Sequence, residues 1–196
     1  MSFQALFDFE QALADYTGAP YVVVTDGCTH ALELCFRHDR IKETAFTPYT
    51  YLSVPMLMQH LGITYEYHAH EHRQQWTGEY KFEGTRIWDS ARRLERNMYR
   101  PGQFQCLSFG WTKPLQLGKV GAILLDDSEA HKKFSRQRSD GRDLHIPWEQ
   151  ETELILGWHY CPTLESCERG LKLLPITDPQ SQDACYPDLR TLNLDL

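Results

Sequence analysis

Ser108 to Asp127 reads SFGWTKPLQLGKVGAILLDD, and this stretch organises the chain around it. One apolar run, Phe104 to Phe109, leads into it and a second, Val120 to Leu125, leaves it. Apolar runs of that length, broken by glycine and proline, read as buried strands joined by a loop. The loop places Lys113 in a turn bounded by Pro114 and Gly118, with Ser108 five residues before the lysine. A lysine between two buried strands is open to desolvation, which favours the uncharged amine that attacks a carbonyl. A solvated lysine on a surface loop has the same local pattern, so other segments must decide.

Upstream, TRIWDSARRLERN places a short apolar strand, Ile87-Trp88, before Asp89. Ligands of open α/β sheets sit at the carboxyl ends of strands. An aspartate there either caps the next element or grips a cationic ring nitrogen. Nearer the start, Tyr21 to Val24 is a β-branched strand, Asp26-Gly27 a turn, and Cys28 to His38 a helical pattern carrying Ala31, Leu32, Leu34, Cys35 and Phe36. A strand, a glycine turn and a helix start make an anion site, because the first N–H groups of a helix have no intrahelical acceptor and the macrodipole adds positive potential. Thr29 adds a hydroxyl. Every α/β connection must turn somewhere, so a purely structural turn stays open.

Ahead of that unit, residues 3 to 16 put Phe3, Leu6, Phe7, Phe9, Ala12, Leu13 and Tyr16 largely on one helical face, stopped by Gly18. After it, Ala45 to Thr47 is extended and Pro48 ends it. The next apolar set, Leu52, Val54, Met56, Leu57 and Leu61, fits a helix with Pro55 in its first turn, preceded by Tyr49 and Tyr51. Ile63 to Tyr67 reads as a strand running into His68, His70 and His72. Histidines of period two can share a face and bind a metal, but no carboxylate pair or distant ligand cluster accompanies them. No metal site is assigned. Thr77 to Gly84 is polar and turn-rich. Beyond the lysine stretch, Ser128 to Arg138 is a helix with a basic face, SDGRDLHIPWEQ a loop, and ETELILGWHYCPTLESCERGLKLL broadly helical with a break near Gly157 to Pro162. The tail from Ile176 is proline-interrupted and fits a segment lying over a surface or a partner.

With 196 residues, 41% hydrophobic and 24% charged, the chain can bury a sizeable core as a soluble domain. A net charge of -7 argues against nucleic acid as the main partner, since neutralising phosphates needs a basic face. The N-terminus mixes acids into its apolar positions, unlike a signal or transit peptide, and no apolar run reaches bilayer-spanning length. Six cysteines without CxxC spacing read as reduced thiols of a cytoplasmic protein.

Taken in order, FEQALADYTGAPYVVVTDGCTHALEL, TPYTYLSVPMLMQHLG, WDSAR, SFGWTK with GKVGAILLDD, and GWHYCPTLESCERGLKLL resemble segments of the DegT/StrS sugar aminotransferases, over about residues 8 to 175. These are fold-type I enzymes dependent on pyridoxal 5'-phosphate. The resemblance implies an α/β three-layer sandwich with a mixed, mostly parallel sheet over residues 1–175, then a tail over 176–196. It implies that Lys113 bonds to the cofactor and shuttles a proton, that Asp89 pairs with the ring nitrogen, that Cys28, Thr29 and Ser108 hold the phosphate, and that Tyr51 stacks on the ring. It further implies a homodimer that moves an amino group from a donor such as glutamate or glutamine to a keto-sugar, nucleotide-linked in kind. Relatives that dehydrate carry histidine in place of the lysine. Three departures stand out. Arg92 replaces the glutamine that contacts the ring hydroxyl, His159 the asparagine that reaches a neighbouring subunit's phosphate, and Cys161 an arginine. The family's second, smaller domain has no counterpart in the sequence. An impaired cofactor-binding or structural relative, acting through dimer formation or as a partner subunit, is therefore the alternative to a transaminase.

Overall fold

The computed structural model describes residues 2–68, 78–177 and 186–192. Its first helix, α1 (Gln4–Thr17), buries Leu6, Phe9, Leu13 and Ala14 at three- and four-residue spacing and ends at Gly18, whose φ of 75° only glycine adopts freely. Strand β1 (Tyr21–Thr25) follows, then α2 (Cys28–Asp39), β2 (Glu43–Phe46), α3 (Ser53–Leu61) and β3 (Thr64–Tyr67). Pro55 falls in the first turn of α3, where no intrahelical donor is missed. The remaining elements are β4 (Tyr80–Lys81), β5 (Ile87–Asp89), β6 (Phe104–Ser108), β7 (Gly121–Leu125), α4 (Ser128–Gln137) and α5 (Leu164–Leu173).

Five strands form one sheet in the order β1-β7-β6-β5-β4, and β2 pairs with β3 in a second. The α/β reading holds, but the mostly parallel sheet does not. In the main sheet only β5 and β6 pair in parallel; β1–β7, β6–β7 and β4–β5 are antiparallel. The cause is connection length. A parallel return needs a crossover, usually a helix, whereas residues 109–120 between β6 and β7 and residues 82–86 between β4 and β5 are loops without one. Pairing directions nevertheless leave β1, β5 and β6 running the same way, so Thr25, Asp89 and Ser108 end at one edge of the sheet.

Alternation along the strands builds a core on each face. Val23, Cys106, Ile123 and Leu125 pack with α2, α3 and α4 residues such as Leu32, Leu57 and Phe134. Val22, Val24, Leu107, Ala122 and Leu124 pack on the other side with α1 residues Leu6, Phe9 and Leu13 and with Cys167 of α5. Helix α5 approaches α1 so closely that a Cβ on Gly170 would lie 2.5 Å from the Phe9 ring. Gly170→Ala gains up to ~1 kcal/mol of helix propensity but overpacks against a wholly buried ring at a cost of ~1–3 kcal/mol. Net destabilisation of about 1 kcal/mol is expected in urea unfolding.

Two other expectations need correction. Residues 151–156 are not helical: the Ile155 N–H donates to the Gly141 carbonyl at 3.3 Å, and just beyond the segment the Trp158 and Tyr160 N–H groups donate to the Gln137 and Arg138 carbonyls. Residues 77–84 were expected to be only polar and turn-rich, yet the described part carries β4, with Glu79, Tyr80 and Phe82 all buried. Glu79 is buried against three partners, Ser90, Arg93 and Arg100. Among the described residues, no helix is long and apolar enough to cross a membrane.

Candidate functional site

A cavity of about 630 Å³ opens at the sheet edge where β1, β5 and β6 end. Its lining includes Cys28, Thr29, Tyr51, Asp89, Ser108 and Lys113, six positions singled out from the sequence. The topology is what gathers them, since three parallel-running strands deliver their carboxyl ends to one place.

Helix α2 begins at the cavity behind Gly27, in extended conformation with no side chain capping the helix. Gly121, the first residue of β7, lies directly beneath: a Cβ there would meet the Cys28 nitrogen at 2.4 Å. A glycine is thus needed to bring the helix start down onto the sheet. Thr29 and Ser53 hydroxyl oxygens lie 2.7 Å apart, so two helix starts, of α2 and α3, present hydroxyls together. Burial, followed by the charges of Asp89 and Cys106, pushes the Cys28 thiol well above its usual range against the opposing pull of Lys113, and it stays protonated.

Asp89 is 6% exposed. Its Oδ2 accepts from the Tyr80 hydroxyl at 3.0 Å and its Oδ1 from the Ala91 N–H at 2.9 Å, and Thr50 lies 2.7 Å from the same tyrosine oxygen. No helix follows Asp89, so capping one is not its role. Burial raises its pKa, and the Ala91 hydrogen bond, the Lys113 charge and the Tyr80 hydroxyl only partly reverse this. Tyr80 is pushed far up by burial and by Asp89, so it stays a donor. A buried carboxylate with unmet demand for positive charge suits a cationic ligand atom.

The Lys113 loop is closed by its own backbone. Phe109 N–H donates to the Val120 carbonyl at 2.8 Å, Leu117 and Gly118 N–H groups donate to the Phe109 carbonyl, and Lys113 N–H to Gly110. Gly118 takes φ 99° against the Trp111 ring, which would lie 2.9 Å from an added Cβ. Lys113 is 8% exposed, and its Nζ donates to the Tyr186 hydroxyl at 2.7 Å.

Arg92 and His159 are not brought into the cavity lining. Arg92 is buried, with its guanidinium 4.8 Å from the Tyr186 ring centroid. The His159 side chain is 91% exposed and pairs with Asp140 at 2.9 Å, which raises its pKa. His70 and His72 lie outside the described residues; His68 follows β3 and faces Glu83 at 3.3 Å. Tyr80, Thr50, Ser53 and Tyr186 were not anticipated as site residues. Tyr80 lies nine residues before Asp89 on a separate strand, and nothing local marks it or Tyr186.

Residues 3–68, a third of the chain, match the model of the DegT/DnrJ/EryC1/StrS aminotransferase family, the group that the same segment resembles. Compared with curated proteins by sequence, the chain has no match. Among solved structures it is similar to Helicobacter pylori PseC, an aminotransferase involved in the biosynthesis of pseudoaminic acid (TM-score 0.69, 15% identity, 88% of this chain, 58% of that one). It is also similar to AtS13 from Actinomadura melliaura (0.72, 20%, 90% and 61%). A third is DesI, solved in the presence of its TDP-sugar product (0.67, 15%, 89% and 53%). At such identities the likeness is one of fold, and the chain spans 53–61% of the length of these three.

Proposed function

From the relationship of this chain to the DegT/DnrJ/EryC1/StrS aminotransferases, we propose that it binds pyridoxal 5'-phosphate through Lys113 and transfers an amino group to a keto-sugar. The observation that carries this reading is the convergence of Lys113, Asp89, Thr29 and Ser108 on one cavity at the uncapped start of α2. The donor set fits the cofactor group by group. The helix start with the Thr29, Ser53 and Ser108 hydroxyls suits a phosphate. The buried Asp89 carboxylate suits a protonated ring nitrogen, and Tyr51 suits the ring face.

Each residue then has a task of its own. Asp89, held by Tyr80 and the Ala91 N–H, keeps the proton on the ring nitrogen. When bound, the cofactor supplies a ring that accepts the electrons released as the substrate C–H bond breaks. Lys113 Nζ takes that proton and returns it, which its place beside the cavity allows. Glutamate or glutamine is the proposed donor and a nucleotide-linked sugar the proposed acceptor, by analogy with DesI and its TDP-sugar product. His159, exposed, is proposed to meet a second subunit of a homodimer. Titration with pyridoxal 5'-phosphate is expected to produce a new absorbance band that Lys113→Ala abolishes, and turnover of a keto-sugar with glutamate is expected to vanish with it. Binding without turnover would favour the second reading, an impaired relative acting through a partner subunit. What speaks for that reading is Tyr186 seated on the lysine. No band at all would refute both forms of cofactor binding.

A further inference from the structure

Among the described residues lining the cavity, Tyr186 alone comes from beyond Val120. Its hydroxyl accepts from Lys113 Nζ at 2.7 Å, and that nitrogen sits 5.4 Å from its ring centroid. The Arg92 guanidinium lies 4.8 Å from the same centroid and the Tyr51 ring 5.7 Å. One aromatic ring thus touches the lysine, the tyrosine expected to stack on a ligand ring, and the arginine that departs from the family pattern. Two cations beside one ring, one also hydrogen-bonded to its oxygen, hold it more firmly than apolar packing alone.

The segment behind that ring is anchored away from the cavity. Leu189 is buried, and its N–H donates to the Pro48 carbonyl at 3.1 Å. Arg190 pairs with Asp188 at 2.6 Å and donates to the His68 carbonyl at 3.3 Å. Pro48 lies just before Tyr51, so the anchor and the occupied slot share one stretch of backbone.

We propose that residues 186–192 form a strap whose Tyr186 is an internal occupant of the lysine site, competing with carbonyl compounds for Lys113. The phenol holds Nζ by a hydrogen bond at 2.7 Å, so a carbonyl carbon that bonds to this nitrogen has to displace Tyr186 and lift the strap. The apparent dissociation constant for any such ligand is the intrinsic one divided by the fraction of time the strap is lifted, so a seldom-lifted strap weakens binding. Arg92 then has a role that the family's glutamine does not: it braces the strap.

The test reads the lysine directly and does not depend on any cofactor. The intact protein is acetylated with an N-hydroxysuccinimide ester, which forms an amide on the amine and releases N-hydroxysuccinimide, and Lys113 is followed by peptide mass spectrometry against exposed Lys119 of the same loop. Lys113 is expected to react about tenfold faster in Leu189→Ala and Tyr186→Ala than in wild type, and a few-fold faster in Tyr186→Phe, which keeps the ring and loses the hydrogen bond. A cooperative thermal transition well above the labelling temperature and an unchanged Lys119 rate certify that the variants are folded. Equal Lys113 rates in wild type and both alanine variants would overturn the strap. The second arm titrates the same proteins with pyridoxal 5'-phosphate: tighter binding by the strap variants supports competition, and equal or weaker binding overturns it. If no protein binds the cofactor, the functional reading fails while the labelling rates still decide the strap.

Discussion

Glu79→Ala is expected to lower the unfolding free energy by about 3 kcal/mol, because it strands two guanidiniums around a buried hole. The Glu79 side chain is 2% exposed. It accepts from Arg100 at 2.6 and 2.9 Å and from the Ser90 hydroxyl at 2.8 Å, and it pairs with Arg93. Both arginines keep part of their surface in water, which sets the loss at the lower end of what breaking a buried pair costs. Glu79→Gln keeps the shape and one acceptor oxygen but turns an amide donor toward a guanidinium N–H, so it should recover only part of that loss. The pH dependence has a definite sign. Burial pushes the Glu79 carboxyl up, but the Arg100 and Ser90 hydrogen bonds and the two arginine charges outweigh it, so the folded value lies below the ordinary one. Stability from this group is therefore present above the ordinary glutamate range and is lost as pH falls through the folded value. Urea unfolding of wild type and Glu79→Ala should differ most near neutrality and converge in acid. A constant gap would show that packing rather than charge is lost. The cluster also fixes the chain after Asp89, so the variant should weaken ligand binding at the cavity as well.

Much of the site was legible because each part carries its own local signal. Gly27 before a helix, Asp89 ending an apolar strand, and Lys113 between two apolar runs can each be read without knowing the sheet. Strand direction could have been read too: neither residues 109–120 nor residues 82–86 contain a helical pattern to carry a parallel crossover. Other features had no local signal. Tyr80 and Lys81 form a two-residue strand between Glu79 and Phe82, and what buries Glu79 is a pair of arginines 14 and 21 residues away. Residues 151–156 keep an apolar pattern that suits a helix, but the Ile155 N–H pairs with the loop after α4 instead. Tyr186 meets Lys113 across 73 residues of sequence, which no periodicity can announce.

Asp89→Asn is expected to move stability and ligand binding in opposite directions. Burial lifts the Asp89 pKa, and the Ala91 N–H, Lys113 and Tyr80 together fail to bring it back to its ordinary value. A folded value above the unfolded one means that folding prefers the protonated form. The group's contribution to stability is complete below its unfolded pKa and is lost as pH rises through the folded value, so at neutral pH the carboxylate is a burden. Asparagine accepts from the Ala91 N–H through its oxygen and donates one amide N–H to the Tyr80 oxygen, whose own proton turns to Thr50, while the second amide N–H faces the cavity side of the site. The free protein should gain on the order of 1 kcal/mol, seen as a higher melting temperature near neutrality and no gain in acid. Affinity for pyridoxal 5'-phosphate should fall about 100-fold, since removing one charge of a buried hydrogen-bonded ion pair costs ~3 kcal/mol. Such a trade is what a functional group left under strain predicts, and a merely structural aspartate would not make it. A variant that is less stable and binds equally well would mean that Asp89 serves the fold, and that the cation it awaits is not a ligand's.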